Sequence, residues 1–251
     1  MKFNSNNGEV WNYTNELGGF DVSYAVATDS NNNFIVAGTN ASDWRIIKFD
    51  SNNNNVWNYS INLGGTLGVY ARAVATDSNN NFIVVGHNTT SNPDSWIMKF
   101  NSSNSNIWNF TRNLGGGDRA QGVATDSNNN FIVAGYNGSG WFIMKFNSSN
   151  SNIWNFSRNL GGTNVANAVA TDSNNNFIVA GSNGSGWFIM KFNSNNENIW
   201  NWSGDLGFND RAQGVATDSN NNFIVAGTNT SDWWIIKFDS NNNNVWNYSI
   251  N

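Results

Sequence analysis

Short apolar runs alternate with clusters of Asn, Asp, Ser and Gly along the whole chain, and the first complete set holds four of them. Tyr24 to Asp29 is built from small side chains, Ala25, Val26, Ala27 and Thr28. Phe34 to Gly38 is apolar throughout, as a strand buried on both faces should be. Trp44 to Phe49 is the bulkiest run. Strand alternation puts Trp44, Ile46 and Lys48 on one face and Arg45, Ile47 and Phe49 on the other, and the later copies are apolar on both. Val56 to Ile61 instead alternates cleanly, with Trp57, Tyr59 and Ile61 on one side and Asn58 and Ser60 on the other. One wet face marks it as an outermost strand. The pattern predicts four strands joined by hairpins, ordered from a small-residue inner strand to a half-polar outer one.

The set then repeats. VATDSNNNFIVAG starts at Val26 and returns almost letter for letter at Val74, Val123, Val169 and Val215, at spacings of 48, 49, 46 and 46 residues. A period in the forties with β patterning predicts propeller blades. The expected fold is all-β: one β-propeller over residues 1–251, with five blades of four antiparallel strands. Asp29-Ser-Asn-Asn-Asn33 and Asp50-Ser-Asn-Asn-Asn-Asn55 are the expected hairpin turns, because Asn and Asp tolerate the left-handed backbone and bond their own main chain. Leu63-Gly64-Gly65 and its equivalents lead to the next blade, and the insertions, including the one around Pro93, fall in connections. The Lys-Phe end of the third run and the Trp strand occur six times, because Met1 to Thr14 carries an extra copy. Residues 1–25 are therefore expected to supply a terminal outer strand plus linker, and an overlapping terminal strand, Val10 to Thr14 or Val245 to Ile250, closes the ring. A monomer is expected. The spare strand would be a bare edge, so pairing with another chain and a different blade count remain open.

The string LGGGDRAQGVATDSNNNFIVAGYNGSGWFIMKFNSSNSNIWNFSRNLGG, Leu114 to Gly162, resembles the SBBP-type β-propeller repeat of bacterial and archaeal proteins. The likeness rests on the Leu-Gly-Gly opening, the small-residue strand ending in Asp, the Val-Ala-Gly strand and the Lys-Phe strand before a Trp strand. It extends over nearly the whole chain. The departure is at the turns, where Asn32 and Asn54 stand in the region that usually carries Gly. The resemblance implies a secreted or surface-attached protein without an assigned reaction. Fold likeness alone supplies no function.

Composition narrows the partners. The net charge is −5, with 12 Lys and Arg and no basic tract, which argues against nucleic acid. Cysteine is absent, removing disulfides and thiolate metal sites. No apolar run approaches the ~18 residues that span a bilayer, so membrane insertion is not expected. Met1-Lys-Phe-Asn-Ser-Asn is no signal peptide, and Lys2-Phe3 matches Lys48-Phe49, so the chain begins in mid-repeat. The expected setting is extracellular or at the cell surface, within a larger protein.

Candidate chemistry lies at four kinds of position. Trp44, Trp141, Trp187 and Trp233 follow the second loop of their blades and read as repeated sugar-stacking platforms or as core; the second copy has Ser95 there. Burying an aromatic removes ~150–250 Å² from water, roughly 4–6 kcal/mol gross at ~25 cal/mol/Å², which favours core. Asp29, Asp77, Asp126, Asp172 and Asp218 open Asp-x-Asn-x-Asn turns. A calcium loop would need Glu where Asn40 stands, so turn capping is expected and no metal. Asp118-Arg119 and Asp210-Arg211, with Arg72 nearby in phase, precede or open inner strands and are candidates for lining the axial mouth; Val22 and Val165 replace Arg in two copies, so any ring is uneven. The alternative is a solvated ion pair at a strand start. His87, the only histidine, reads as surface decoration in an inserted loop. Sequons at Asn58, Asn109, Asn155, Asn201 and Asn247 fall on the wet face of outer strands. No cofactor motif is present. With only Glu9, Glu16 and Glu197 and no paired acids, glycoside hydrolysis is not expected. The leading expectation is a non-enzymatic spacer or interaction platform, and the alternative is a multivalent lectin with a glycan or protein ligand.

Overall fold

The computed structural model describes residues 2–3, 5–6, 8–14, 21–40, 42–64, 68–113, 116–138, 140–160, 164–204, 210–229 and 232–250. The linker at 15–20, with Glu16, and the connections at 65–67, 114–115 and 161–163 lie outside them.

The strands fall into blades. A two-stranded sheet comes first, β1 (Lys2–Phe3) and β2 (Glu9–Trp11). The first blade is β3 (Asp21–Thr28), β4 (Phe34–Asn40), β5 (Asp43–Phe49) and β6 (Asn55–Asn62). The second is β7 (Val69–Thr76), β8 (Phe82–Asn88), β9 (Ser95–Phe100) and β10 (Asn106–Arg112). The third is β11 (Arg119–Thr125), β12 (Phe131–Asn137), β13 (Gly140–Phe146) and β14 (Asn152–Arg158). The fourth is β15 (Asn164–Thr171), β16 (Phe177–Asn183), β17 (Trp187–Phe192) and β18 (Asn198–Gly204). The fifth is β19 (Arg211–Thr217), β20 (Phe223–Asn229), β21 (Asp232–Phe238) and β22 (Asn244–Ile250). Each is an antiparallel meander in chain order, as the apolar runs predict.

Turn chemistry sets the hairpins. Asp29 Oδ1 accepts from the backbone N–H of Asn31 and Asn33 at 3.0 and 2.9 Å, and Asp29 Oδ2 accepts from Asn33 Nδ2 at 2.8 Å. The other four copies make the same three bonds. Each carboxylate is thus committed to capping its own turn. Asn32 takes a positive φ of 60°, and in the second turn it is Asn53, at 69°, rather than Asn54. Asn tolerates this backbone because its short amide bonds locally.

Consecutive blades are locked by aromatic wedges. Trp44, Trp141 and Trp187 are fully buried, and the latter two donate Nε1–H to the carbonyls of Ser182 and Thr228 in the next blade at 2.9 and 2.8 Å. The indole fits only because Gly181 lacks a side chain: a Cβ there would meet Trp141 Cζ2 at 2.8 Å. Farther out, Trp57 stands edge-on to Phe82 and Phe100 at 5.7 and 5.3 Å, and Trp108, Trp154 and Trp200 repeat the motif. Such pairs add ~0.5–1.5 kcal/mol each beyond their buried area. Near the axis, Thr76 Oγ1 donates to Thr28 O, and Thr125, Thr171 and Thr217 continue the ladder.

Of the two strands expected to complete the fifth blade, Val245 to Ile250 does so as part of β22. The outer edge of β21 is taken by β22, so β2 finds no place in the fifth blade and pairs with β1 in a sheet of its own. Trp11 and Tyr13 then pack on Phe34 and Phe49 as Trp57 and Tyr59 pack on Phe82 and Phe100. The β1–β2 unit is the outer half of a blade preceding the first. Inner strands pack in the order β3, β7, β11, β15, β19, and β19 does not pack on β3 in the same way.

Candidate functional site at the inner strands

Each inner strand breaks register once. The shifts fall between Ser23 and Ala25, Ala71 and Ala73, Ala120 and Gly122, Ala166 and Ala168, and Ala212 and Gly214. Each leaves one bulged residue: Tyr24, Arg72, Gln121, Asn167 or Gln213. A bulge re-aims its side chain away from the ladder. Four residue types share these five positions, with Gln in both β11 and β19, and none is buried, whereas the neighbouring Ala71, Ala120, Ala166 and Ala212 have no exposed surface.

Side chains of adjacent blades meet at this level. The Arg72 guanidinium lies 4.6 Å from the Tyr24 ring and 4.5 Å from the Tyr70 ring, and the two rings stand edge to face at 5.9 Å. Asn167 Nδ2 donates to Ala212 O at 2.8 Å, across to the next blade. Burial raises the Tyr24 pKa against the opposing charge of Arg72. Arg119 donates from Nη1 to the Tyr136 hydroxyl at 3.0 Å. Among the described residues no carboxylate pairs with Arg72 or Arg119.

His87 overturns its sequence reading. It lies on β8 opposite Tyr70 and is 1% exposed, because the insertion begins only beyond Asn88. Burial, then the charges of Arg72 and Arg119, push its pKa down to about 3, although a bond to the Ala120 backbone opposes them. Its ring is neutral and its Nδ1 has no hydrogen-bond partner.

The other expected residues divide. The charges of Arg72 and Arg119 both act on His87. Asp118 is buried and pairs with Arg112 Nε at 3.6 Å rather than lining a mouth. Asp210 is likewise buried, while Arg211 is exposed on the last blade. Trp44, Trp141 and Trp187 present no face on which a sugar could stack, which corrects the platform reading at those positions. Trp233 is 69% exposed, since no complete blade follows it. With Gln213, Thr228 and Trp234 it lines an open pocket of about 480 Å³. The sequon asparagines are all exposed on outer strands. No group of three metal-ligating side chains occurs among the described residues.

With this geometry in hand, known proteins place the fold. The Dos1 propeller superposes with a TM-score of 0.64 at 12% identity, covering 92% of this chain and 60% of that one. The chain folds as a β-propeller. A protein from Lactobacillus plantarum matches at a TM-score of 0.59 and 9% identity, over 91% of this chain and 70% of that one. A gluconolactonase from Xanthomonas campestris matches at 0.50 and 11%, over 82% and 69%. At such identities the likeness shows fold alone. No family model matches the chain, and no curated protein does. The propeller spans less than two thirds of the Dos1 chain.

Sequence reasoning found Arg72 and Arg119 but missed Tyr24, Tyr70, Gln121, Asn167 and Gln213. A signal was present: the bulge position takes Tyr, Arg, Gln or Asn from blade to blade, whereas the Val-Ala-Thr farther along each strand does not change.

Proposed function

We propose that the chain is a non-catalytic binding module of a surface-associated, SBBP-like repeat protein. Its ring has six positions, five held by complete blades and one by the outer half-blade β1–β2. The module presents its blade-specific inner-strand residues to a ligand carrying a carboxylate, and an acidic saccharide fits this chemistry. The observation that supports the reading is Arg72 stacked between Tyr24 and Tyr70, with the charge of Arg119 acting on the same His87 and, among the described residues, no carboxylate paired with either guanidinium. Guanidinium groups bind carboxylates in bidentate fashion, and aromatic faces suit the apolar side of a sugar ring. Repetition serves as scaffold here, and departures from repetition carry recognition.

Isothermal titration with galacturonate oligosaccharides against neutral glucose oligosaccharides tests this. Saturable binding of the acidic series is expected, weakened roughly tenfold or more by Arg72→Ala, as loss of a charge-assisted hydrogen bond implies. Equal binding of neutral sugars, no binding at millimolar concentration, or cleavage of the saccharide would overturn it.

A further inference from the structure

The outer strand of each blade leaves one aliphatic residue in water. β6, β10, β14 and β18 each break register once against the third strand, and the residue skipped is Val56, Ile107, Ile153 or Ile199. The bulge turns that side chain outward, and these residues are 51, 47, 50 and 49% exposed. Among the described residues of the second, third and fourth blades no other large hydrophobic is exposed. β22 repeats the feature at Val245. Each of these strands also ends its sheet, pairing only with the third strand of its blade. Free edges are commonly guarded by charged side chains or Pro, yet none of the five strands contains Lys, Pro, Asp or Glu. The bulge guards only the start of each edge.

Two residues beyond each exposed aliphatic stands the asparagine of a sequon, Asn58, Asn109, Asn155, Asn201 or Asn247. Each is exposed, and strand alternation puts the exposed hydroxyl of Ser60, Thr111, Ser157, Ser203 or Ser249 on the same face. Other sequons are engaged locally. Asn88 is 4% exposed and its Oδ1 accepts from the Asp94 N–H at 2.8 Å. Asn183 Oδ1 accepts from the Gly186 N–H at 3.0 Å, and Asn101 and Asn147 cap their turns. On the outer strands Asn155 Nδ2 donates to Asn152 Oδ1 at 2.6 Å, and Asn201 Nδ2 to Asn198 Oδ1 at 2.9 Å. A primary amide has two protons, so a sugar that replaces one leaves this bond in place.

We infer that the rim of the propeller is N-glycosylated, with one glycan per blade at Asn58, Asn109, Asn155, Asn201 and Asn247. The donor is a lipid-phosphate-linked oligosaccharide, brought by a transferase. Asn Nδ2 forms a bond to C1 of the first sugar, and the C1–O bond to the lipid phosphate breaks, its electron pair leaving with the phosphate. Nδ2 gives up one proton to a base of the transferase. The apolar side of the first sugar then covers the bulged Val or Ile, and its hydrated bulk keeps a second strand off the open edge. From the preceding reading this takes only the surface setting. Glycan occupancy is read by mass and ligand binding by titration, so either can fail alone.

The test is to secrete the full chain from yeast behind a cleavable signal and map glycopeptides of the folded product by mass spectrometry. Sugar is expected at the outer-strand asparagines and not at Asn88 or Asn183, because a chain modified at those positions cannot close its hairpins. A second measurement uses a variant that keeps only the Asn155 outer sequon, the other four asparagines being changed to Gln, with its glycan trimmed to one sugar. Its Tm should lie above that of the same chain with Asn155→Gln, and Ile153→Ser should abolish the difference. Empty outer sequons, or equal occupancy at Asn88 and Asn183, would overturn the inference. A Tm indifferent to the sugar, or a gain that survives Ile153→Ser, would overturn the covering of the bulge.

Discussion

Two surfaces of the same sequence have opposite fates. The face that the third blade turns to the fourth carries Trp141 at zero exposure, and the corresponding face of the fifth blade carries Trp233 at 69%. Lys145 is buried against Asp126 and lies 5.7 Å from the Phe177 ring of the next blade, whereas Lys237 keeps its Asp218 partner at 3.1 Å with 34% of its side chain in water. Even the backbone differs in its surroundings. A Cβ on Gly122 would meet Ala168 Cα at 3.0 Å, and one on Gly214 would meet nothing within 4 Å. Residue type is held constant in each pair, so burial is conferred by the neighbouring blade. A strand in this architecture becomes core only when another blade is laid on it, as expected of repeats whose stability is a sum of nearest-neighbour terms.

The largest test of that contrast is the tryptophan pair. Trp141→Ala removes a wedge with a hydrogen bond to Ser182 O and should cost about 3–5 kcal/mol in chemical denaturation. Trp233→Ala should stay within about 0.5 kcal/mol of the parent, as surface substitutions do. Equal losses would break the comparison.

Acid titration sharpens it at one interior seam. The folded chain holds His87 neutral down to about pH 3, while the unfolded chain protonates it near 6.5. The unfolded state therefore binds the extra proton in this window, and stability should fall as pH drops from about 6.5 towards about 3, by a few kcal/mol in all. Asp50, Asp218 and Asp239 have pKa values lowered chiefly by their turn amides, so they add to the loss once pH falls below the usual carboxylate range. His87→Thr, the residue that stands at the equivalent Thr39 and Thr228, should flatten the part of the curve between about pH 6.5 and 4.5 and leave the carboxylate limb. An unchanged curve in denaturation midpoints would show that His87 is not the group responsible.

The glycine pair gives a smaller effect. Gly122→Val forces a branched side chain against the next inner strand and should cost about 1–3 kcal/mol. Gly214→Ala has open space and a compatible backbone, so a gain of about 0.4–1 kcal/mol is expected from the stiffer unfolded chain. Thermal midpoints measured side by side decide the sign.

Much of this was legible in the residues. Phe34 to Gly38 and Val56 to Ile61 announce a doubly buried and a half-wet strand, and both are found as β4 and β6. Asp29 was readable as a turn cap because one carboxylate beside two Asn suits local bonding better than a divalent ion. The inner-strand bulges were not legible, because an added polar residue such as Gln121 or Asn167 leaves the apolar pattern intact. His87 was misplaced because it sits beside an insertion, and only the pairing with Tyr70 shows that the strand continues through it. Which terminal strand completes the fifth blade stayed open in the sequence, because strand counting cannot tell which of two equivalent Trp strands reaches β21 first; β22, nearer along the chain, takes the place.

The most direct test of the central claim is the solvent-isotope shift of fluorine resonances in the free chain labelled with 5-fluorotryptophan, assigned by Trp141→Phe and Trp233→Phe. A large shift between H2O and D2O for Trp233 beside none for Trp141 is the expected result. Equal shielding of the two indoles would mean that the fifth blade is covered like the rest, and the contrast between interior and terminal faces would be wrong.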